Sequence, residues 1–216
     1  MLKKILSGVS AGIMISIGCA IFLACENRVV GCTLFAVALL TICYQGYSLY
    51  TGKIGFIPLS HSKEDFSVLL LGLLGNTLGV VLCGLLLGVA IPEMKDKAIA
   101  VCNSKLQQEW YQTLIRGAFC GVLMYIAVSI YKEKKSIAGI IYAIPVFMLS
   151  GFEHSIADMG YFGASQIVSF DGFVFLMLVV LGNTIGAMIL PLISLVKEKG
   201  VEQVQEKKEC ANEKAS

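Results

Sequence analysis

The chain has 216 residues, of which 56% are hydrophobic and 15% are charged, and its mean hydropathy is +0.79. Because a soluble domain usually carries about 25% charged residues, this composition excludes an ordinary soluble domain and indicates an integral membrane protein. The net charge of +2 is too small to indicate a nucleic acid as a partner.

Apolar segments long enough to cross a bilayer, about 20 residues each, recur along the chain and predict six transmembrane helices. They cover residues 5–24, 29–47, 66–91, 111–131, a stretch that begins near 136, and 172–196. We therefore expect a transmembrane domain over residues 1–196. The polar, mixed-charge tail over 197–216 is expected to be a frayed helix without a site of its own.

Lysines mark one side of the predicted bundle. They gather at the two termini and in alternate loops, whereas most positive charge in the other loops is offset by acidic residues. Because an excess of Lys and Arg marks the cytoplasmic side of a membrane, we expect a multi-pass protein of the cytoplasmic membrane with both termini inside.

Glycine and proline interrupt the second and fifth segments. The second runs into "SLYTGKIGFIPLS", and the fifth carries Pro145 and then "GFEHSIADM", in which charged and titratable residues stand inside an apolar region. A broken helix at membrane depth persists only where it is buried in protein or lines a cavity. Two interrupted segments in corresponding halves of a chain indicate a transport site.

The two halves of the chain resemble each other. "LLGNTLGVVL" in the third segment recurs as "VLGNTIGAMIL" in the sixth, which aligns Asn76 with Asn183, and "SGVSAGIMI" in the first echoes "RGAFCGVLM" in the fourth. Because each half has an odd number of helices, the second half must be inverted. The sequence thus predicts a 3+3 inverted repeat, with halves at roughly 1–92 and 108–196.

These motifs together resemble the formate/nitrite transporter family. "GFEHSIADM" is similar to its fifth-helix signature G-F-E-H-S-[IV]-A-N-M, and "GYSLYTGK" is similar to the loop G-[GA]-[ED]-L-F-T that breaks its second helix. The GN pairs and "RGAFCG" also fit. The resemblance implies an aquaporin-like protomer, five of which form a ring, each with a pore for small monovalent weak-acid anions such as formate, nitrite or hydrosulfide.

The resemblance also implies roles for particular residues. Thr51 and His154 are the polar pair at the centre of the pore, and Lys105 is the basic residue on its outer side. The family's two hydrophobic constrictions fall at Phe35, Leu39, Leu49, Tyr50 and Phe147.

The residues themselves predict structural support around these positions. Glu153 is expected to accept backbone N–H groups of the broken segment. Asn76 and Asn183 of the GN pairs are expected to brace the packing and the loops. His61, in a polar loop, is expected to be solvated.

Four positions depart from the family pattern and leave the choice of anion open. Tyr50 stands where phenylalanine is usual, Ser48 replaces an acidic residue, Gly121 replaces a frequent asparagine, and Asp158 replaces the asparagine of "ANM".

Elementary electrostatics suggests how an anion could pass. Moving a carboxylate-sized ion into a medium of low dielectric costs on the order of 20 kcal/mol in the idealised case. Lys105 can gather anions at the pore mouth, and a proton can then neutralise them. His154, with an unperturbed side-chain pKa of about 6.5, is the candidate for handling that proton. We expect it to be neutral in the empty pore and to gain proton affinity as an anion arrives.

Other functions fit the sequence less well. A neutral-solute pore of the aquaporin type would carry paired N-P-A loops, which this sequence lacks. A membrane enzyme could use His154 with Glu153 or Asp158, but hydrolytic and metal chemistry usually needs more ligands, and the cysteines show no metal-ligand spacing. A scaffold subunit would not require polar residues at the breaks. We therefore expect a channel without cofactor or metal, with formate as first candidate, nitrite or hydrosulfide as alternatives, and no enzymatic activity.

Overall fold

The computed structural model describes residues 1–60 and 62–213, with side chains described through residue 197. His61 and the last three residues of the predicted tail lie outside the described residues. The regular elements in the described part are helices: α1 Leu2–Ala24, α2 Arg28–Gln45, α3 Tyr50–Lys53, a 3-10 helix Ile54–Leu59, α4 Lys63–Ala90, α5 Pro92–Leu106, α6 Trp110–Lys134, α7 Ala138–Leu149, α8 Ser155–Ser165 and α9 Phe170–Glu213. The predicted all-α architecture is confirmed.

Long apolar helices form the framework of the described bundle. By length and composition α1, α2, α4, α6 and the Phe170–Lys197 part of α9 can each cross a membrane. The predicted fifth segment is divided between the shorter helices α7 and α8. The helix that begins at Phe170 continues past the apolar region to Glu213, so most of the predicted tail is helical.

Local sequence sets several of the helix ends. The Asn27 side chain accepts hydrogen bonds from the Val29 and Val30 amides and begins α2. That helix ends at Gly46, whose φ of 69° belongs to the left-handed region that glycine tolerates. Glu109 and Gln112 form a capping box at the start of α6.

Two close helix pairs, α1 with α4 and α6 with α9, hold the bundle together. A Cβ atom at Gly8 would lie 2.6 Å from the Gly72 carbonyl oxygen, and one at Gly121 would lie 2.8 Å from the Ala187 amide nitrogen. The small-residue faces of "SGVSAG" and "RGAFCG" thus pack within the protomer. The contact explains one departure from the family pattern, since an asparagine at position 121 would not fit this helix spacing.

The outward surface of the helices is apolar. Large hydrophobic side chains on it are more than a third exposed, among them Val37, Leu78, Leu82, Phe119 and Ile185. A continuous apolar exterior of this kind is suited to lipid or to neighbouring membrane helices.

Two interruptions bring the chain to the middle of the bundle. Residues 46–49 connect α2 to α3, and residues 150–154 connect α7 to α8. In the second connection Gly151 has a φ of 72°, which again requires the left-handed region. Helices α3 and α8 then begin close together, and their first residues form the site described next.

Candidate functional site

The first interruption is braced by Asn76 on α4, which is fully buried. Its side-chain amide donates to the carbonyl oxygens of Gly8 (2.9 Å) and Ser48 (2.7 Å). Its side-chain oxygen accepts from the Tyr50 amide at 2.8 Å. One side chain therefore satisfies backbone groups on both sides of Leu49 and ties them to α1.

The second interruption is braced in the same way by Asn183 on α9, which is also fully buried. Its amide donates to the carbonyl oxygens of Gly117 (2.9 Å) and Glu153 (2.8 Å), and its oxygen accepts from the Ser155 amide at 2.9 Å. The loop-bracing role predicted for both asparagines agrees with these contacts. The two sets of hydrogen bonds correspond. The Asn76 side chain bonds the residues on either side of Leu49, and the Asn183 side chain bonds the residues on either side of His154.

Thr51 and His154 meet between the two braces. The Thr51 Oγ1 atom lies 2.8 Å from His154 Nε2, and both side chains are buried. His154 also caps α8, because its Nδ1 atom accepts the Ala157 amide at 3.1 Å. Since Nδ1 is an acceptor there, the neutral ring carries its hydrogen on Nε2 and donates it to Thr51.

This geometry makes protonation of His154 costly. An imidazolium would place a hydrogen on Nδ1, directed at the Ala157 N–H, and would break the helix cap. A cation at the N-terminus of α8 is also opposed by the helix dipole. In this conformation the ring is a neutral hydrogen-bond donor at its Nε2 atom.

Aromatic rings enclose the polar pair on one side. The Phe147 ring stacks on the His154 ring with centroids 5.7 Å apart and planes 27° apart. Phe35 meets Phe147 edge to face at 6.4 Å. Phe35, Leu39 and Phe147 are all buried. A hydrated ion reaching this layer would have to shed water against apolar surface.

A cavity of about 530 Å³ lies against this aromatic layer. We call it the Lys105 cavity. Phe147 and His154 line one part of it, and Arg28, Lys105 and Arg116 contribute positive charge to its walls. The acidic residues Glu153 and Asp158 line it as well. The cavity leads from charged groups to the histidine.

A second, more apolar cavity of about 270 Å³ lies on the other side of the bundle. We call it the Lys53 cavity. Leu39 and Leu49 line it together with Lys53 and Lys132. Lys53 and Lys132 also line an adjoining cavity of about 340 Å³. Buried apolar residues and the Thr51–His154 pair thus separate two cavities that each carry lysine.

Lys105 holds two carboxylates in the first cavity. Its ammonium group pairs with the Glu153 carboxylate and with Asp158 Oδ1, the latter at 2.9 Å. Gln108 Nε2 donates to the other Glu153 oxygen at 2.6 Å. Glu153 was expected to accept backbone N–H groups; instead its carboxylate accepts from these two side chains, and only its backbone carbonyl joins the Asn183 brace.

Tyr50 is placed differently from Leu39, Leu49 and Phe147, which line the cavities. Its hydroxyl lies 2.7 Å from the Thr184 hydroxyl on α9, and its side chain lines neither the Lys105 cavity nor the Lys53 cavity. The hydroxyl that distinguishes Tyr50 from phenylalanine therefore serves a contact with α9.

Several residues of the site did not stand out in the sequence. Arg28, Lys53, Gln108 and Arg116 line the cavities or bind Glu153. Each belongs to a different stretch of chain, so only the tertiary fold gathers them. The sequence offered a clue to one of them, because Lys53 follows Thr51 by two residues. Among the described residues, no group of three or more His, Cys, Asp or Glu side chains is arranged to hold a metal ion.

Comparison with known proteins gives a consistent picture. Residues 1–196 match the protein family described as formate/nitrite transporter. The chain is 26% identical over 157 residues to the uncharacterized transporter YwcJ of Bacillus subtilis (strain 168), covering 66% of this chain and 61% of that protein. It is 26% identical over 178 residues to formate-nitrite transporter 2 of Toxoplasma gondii (strain ATCC 50611 / Me49), covering 73% of this chain and 38% of that protein. The matches thus span less than two thirds of either relative.

Solved structures share the fold. A structure described as a pentameric formate channel with formate bound superposes with a TM-score of 0.74 at 19% identity, covering 92% of this chain and 97% of that one. A structure described as an FNT family ion channel gives a TM-score of 0.69 at 22% identity, covering 88% and 85%. The all-helical fold described here is therefore shared with both of these structures.

If Asn76 and Asn183 brace the two interruptions, replacing either should lower the free energy of unfolding. Asn183→Ala should destabilise the protein by about 2–4 kcal/mol, because it leaves the Ser155 amide and the Glu153 carbonyl without their partner in the buried interior. Asn76→Ala should have a similar effect. The measurement is thermal unfolding of the purified protein in detergent. Thr77→Ala, next to Asn76 on the same helix, is the matched control and should lower the midpoint much less. Equal losses for all three variants would contradict the bracing role.

Proposed function

The chain belongs to the formate/nitrite transporter family, and from that premise we propose that it is a membrane channel for small monovalent weak-acid anions. Formate is the first candidate, with nitrite and hydrosulfide as alternatives. The protein is a transport protein and not an enzyme. The observation that carries the proposal is the buried Thr51–His154 pair, which stands between two cavities at the point where two interrupted helices meet.

Anions would collect first in the Lys105 cavity. Arg28, Lys105 and Arg116 on its walls raise the local concentration of anions, and the partly apolar lining strengthens their field. The cavity is large enough for formate with several waters, since one water occupies about 30 Å³ in the liquid. The next step inward, at Phe35 and Phe147, requires the solute to give up that water.

Removing water from an ion at this step costs a large desolvation free energy, so passage as the neutral acid is favoured. Formic, nitrous and hydrosulfuric acids each differ from their anions by one proton. Chloride has no neutral form that is populated near neutral pH, and this difference provides selectivity without a tight binding site.

The central pair would then hold the solute by hydrogen bonds. His154 donates its Nε2 hydrogen, and the Thr51 hydroxyl keeps its own hydrogen for an oxygen of the solute. His154 thus assists proton-linked passage. The expectation that its ring itself takes up the proton stays a prediction, and it requires the α8 cap to open.

The assembly and location follow from the same family. We infer a homopentamer in the cytoplasmic membrane, with both termini on the cytoplasmic side. The fold shared with a pentameric formate channel and the apolar outer surface of this bundle support the ring. The distribution of lysines supports the orientation.

A flux panel tests the function. Purified protein in liposomes should conduct formate, nitrite and hydrosulfide faster than chloride, and formate flux should rise as pH falls from about 8 to about 5, because each passage as the neutral acid takes up one proton on the side of entry. Empty liposomes provide the background, since small acids leak through lipid. A protein that conducts glycerol but none of the three anions would be a neutral-solute pore, contrary to the proposal.

The aromatic layer predicts a second result. Phe147→Ala removes the ring that lies between His154 and Phe35, so formate flux should rise several-fold and acetate should gain more than formate. Phe66→Ala, which removes the same ring from an exposed position of α4, is the matched control and should behave like the unchanged protein. Unchanged flux and size selection in Phe147→Ala would show that the constriction lies elsewhere.

A further inference from the structure

Asp158 stands where the family motif has asparagine, and its carboxyl group is only half satisfied. The residue lies in the first turn of α8 and is 2% exposed. Its Oδ1 atom pairs with the Lys105 ammonium at 2.9 Å. Its Oδ2 atom is buried and finds no hydrogen-bond partner among the described residues. Asp158 is one of the residues that line the Lys105 cavity, where we expect anions to collect, but its Oδ2 atom is itself shielded, so contact with an anion requires the carboxyl group to turn toward the cavity.

The surrounding charges do not balance if both carboxyl groups are ionised. Lys105 supplies one positive charge to Glu153 and Asp158, which are both buried. Arg28 and Arg116 line the same cavity, but in the described structure neither forms an ion pair with these two acids. An excess negative charge on buried groups costs several kcal/mol, and a pair of acids normally avoids that cost by holding one proton.

The other titratable groups around Asp158 do not supply the missing charge. They are Cys102 on α5, Cys19 on α1, Cys120 on α6, Tyr161 on α8 and His154, whose backbone oxygen accepts the Asp158 amide. Thiols and phenols are neutral or negative, and His154 is held neutral by the α8 cap. Asp171 on α9 borders a neighbouring small cavity with Lys105 and would only add negative charge.

Hydrogen bonding decides which oxygen carries the proton. Both oxygens of Glu153 accept hydrogen bonds, one from Lys105 and one from Gln108, so a hydrogen on either would meet a donor. Asp158 Oδ1 likewise accepts from Lys105. Only Asp158 Oδ2 has no donor directed at it among the described residues, and it is the oxygen on which a hydrogen can sit without losing a bond.

We propose that Asp158 carries a proton on Oδ2 and transfers it to the anion in the Lys105 cavity. This inference rests on the proposed channel function and adds to it the residue that handles the proton. In the transfer, the O–H bond of Asp158 breaks and an O–H bond forms on formate. Formic acid then passes the aromatic layer, and the Asp158 carboxylate stays paired with Lys105 until a proton from the solvent on that side restores it.

The transfer is suited to this position. Asp158 lies in the cavity before the aromatic layer, so the solute becomes neutral before it meets Phe147. The Lys105 ammonium lies beside the donor and can stabilise both the arriving anion and the carboxylate left behind. His154 then needs to donate only a hydrogen bond, which agrees with its capped, neutral geometry. An asparagine at this position has no acidic proton to give.

Asp158→Asn in proteoliposomes is the decisive variant. It keeps the size of the side chain and restores the family residue, so we expect it to fold. The unchanged protein should show formate flux that rises from about pH 8 to about pH 5, and Asp158→Asn should lose most of that rise. Asp171→Asn makes the same chemical change at an exposed acid near Lys105 and should keep the wild-type profile. His154→Asn should lower the flux but keep its dependence on pH.

Infrared spectroscopy gives a readout that does not depend on transport. A protonated carboxylic acid shows a carbonyl stretch that a carboxylate lacks, and this band should be present near neutral pH in the wild-type protein and absent from Asp158→Asn. If that variant fails to assemble, Asp158→Ser serves the same comparison.

Two results would overturn the proposal: a wild-type pH profile in Asp158→Asn, or a wild-type spectrum without a band that depends on Asp158. Loss of the pH dependence in His154→Asn alone would assign the proton to the histidine instead. Failure of the wild-type protein to conduct any weak acid would refute the channel function separately, because the infrared band is measured without flux.

Discussion

An interrupted helix inside a bilayer exposes backbone amides and carbonyls where no water can satisfy them, and this constraint shapes the whole protein. Each interruption is closed by one buried asparagine, which donates to two carbonyls and accepts from one amide. Asn76 and Asn183 can reach these groups only because α1 packs closely on α4 and α6 packs closely on α9. The glycines at those contacts allow the close approach of the helices and so help to stabilise the interruptions.

Once the two interruptions are stabilised, the polar centre follows. Thr51 enters from one broken segment and His154 from the other, and each satisfies the other's side chain within an apolar layer. The cap that His154 provides to α8 fixes which ring nitrogen faces Thr51. The structure thus places a neutral donor at the centre and keeps the ionised groups in the cavities on either side. That division of charge suits a pathway on which an anion is neutralised by a proton before it reaches the central Thr51–His154 pair.

Much of this arrangement could be predicted from the residues. Hydropathy located α1, α2, α4 and α6 to within three residues at each end, because an apolar stretch of sufficient length has few alternatives in a membrane. The repeated "GN" pairs drew attention to Asn76 and Asn183, and the residues rich in glycine and proline drew attention to the segments around Thr51 and His154. In each case a few neighbouring residues are enough to indicate the local structure, so distant contacts did not have to be known.

Other features depend on contacts between distant parts of the chain. The partners of Glu153 are Lys105 and Gln108, more than forty residues away, and they replace the backbone groups that the motif alone suggested. The acceptor role of His154 Nδ1 depends on the backbone path at the start of α8. The hydrogen bond between Tyr50 and Thr184 depends on how α9 crosses the first half of the protein. Such geometry arises only from the assembled fold.

We propose that the solute crosses the apolar layer together with a proton, as a neutral acid. The most direct measurement imposes a formate gradient across proteoliposomes, sets the membrane potential with potassium and valinomycin, and records internal pH and formate together. One proton should enter with each formate, and the flux should not respond to the membrane potential. Formate flux that follows the potential, with no accompanying proton, would contradict it.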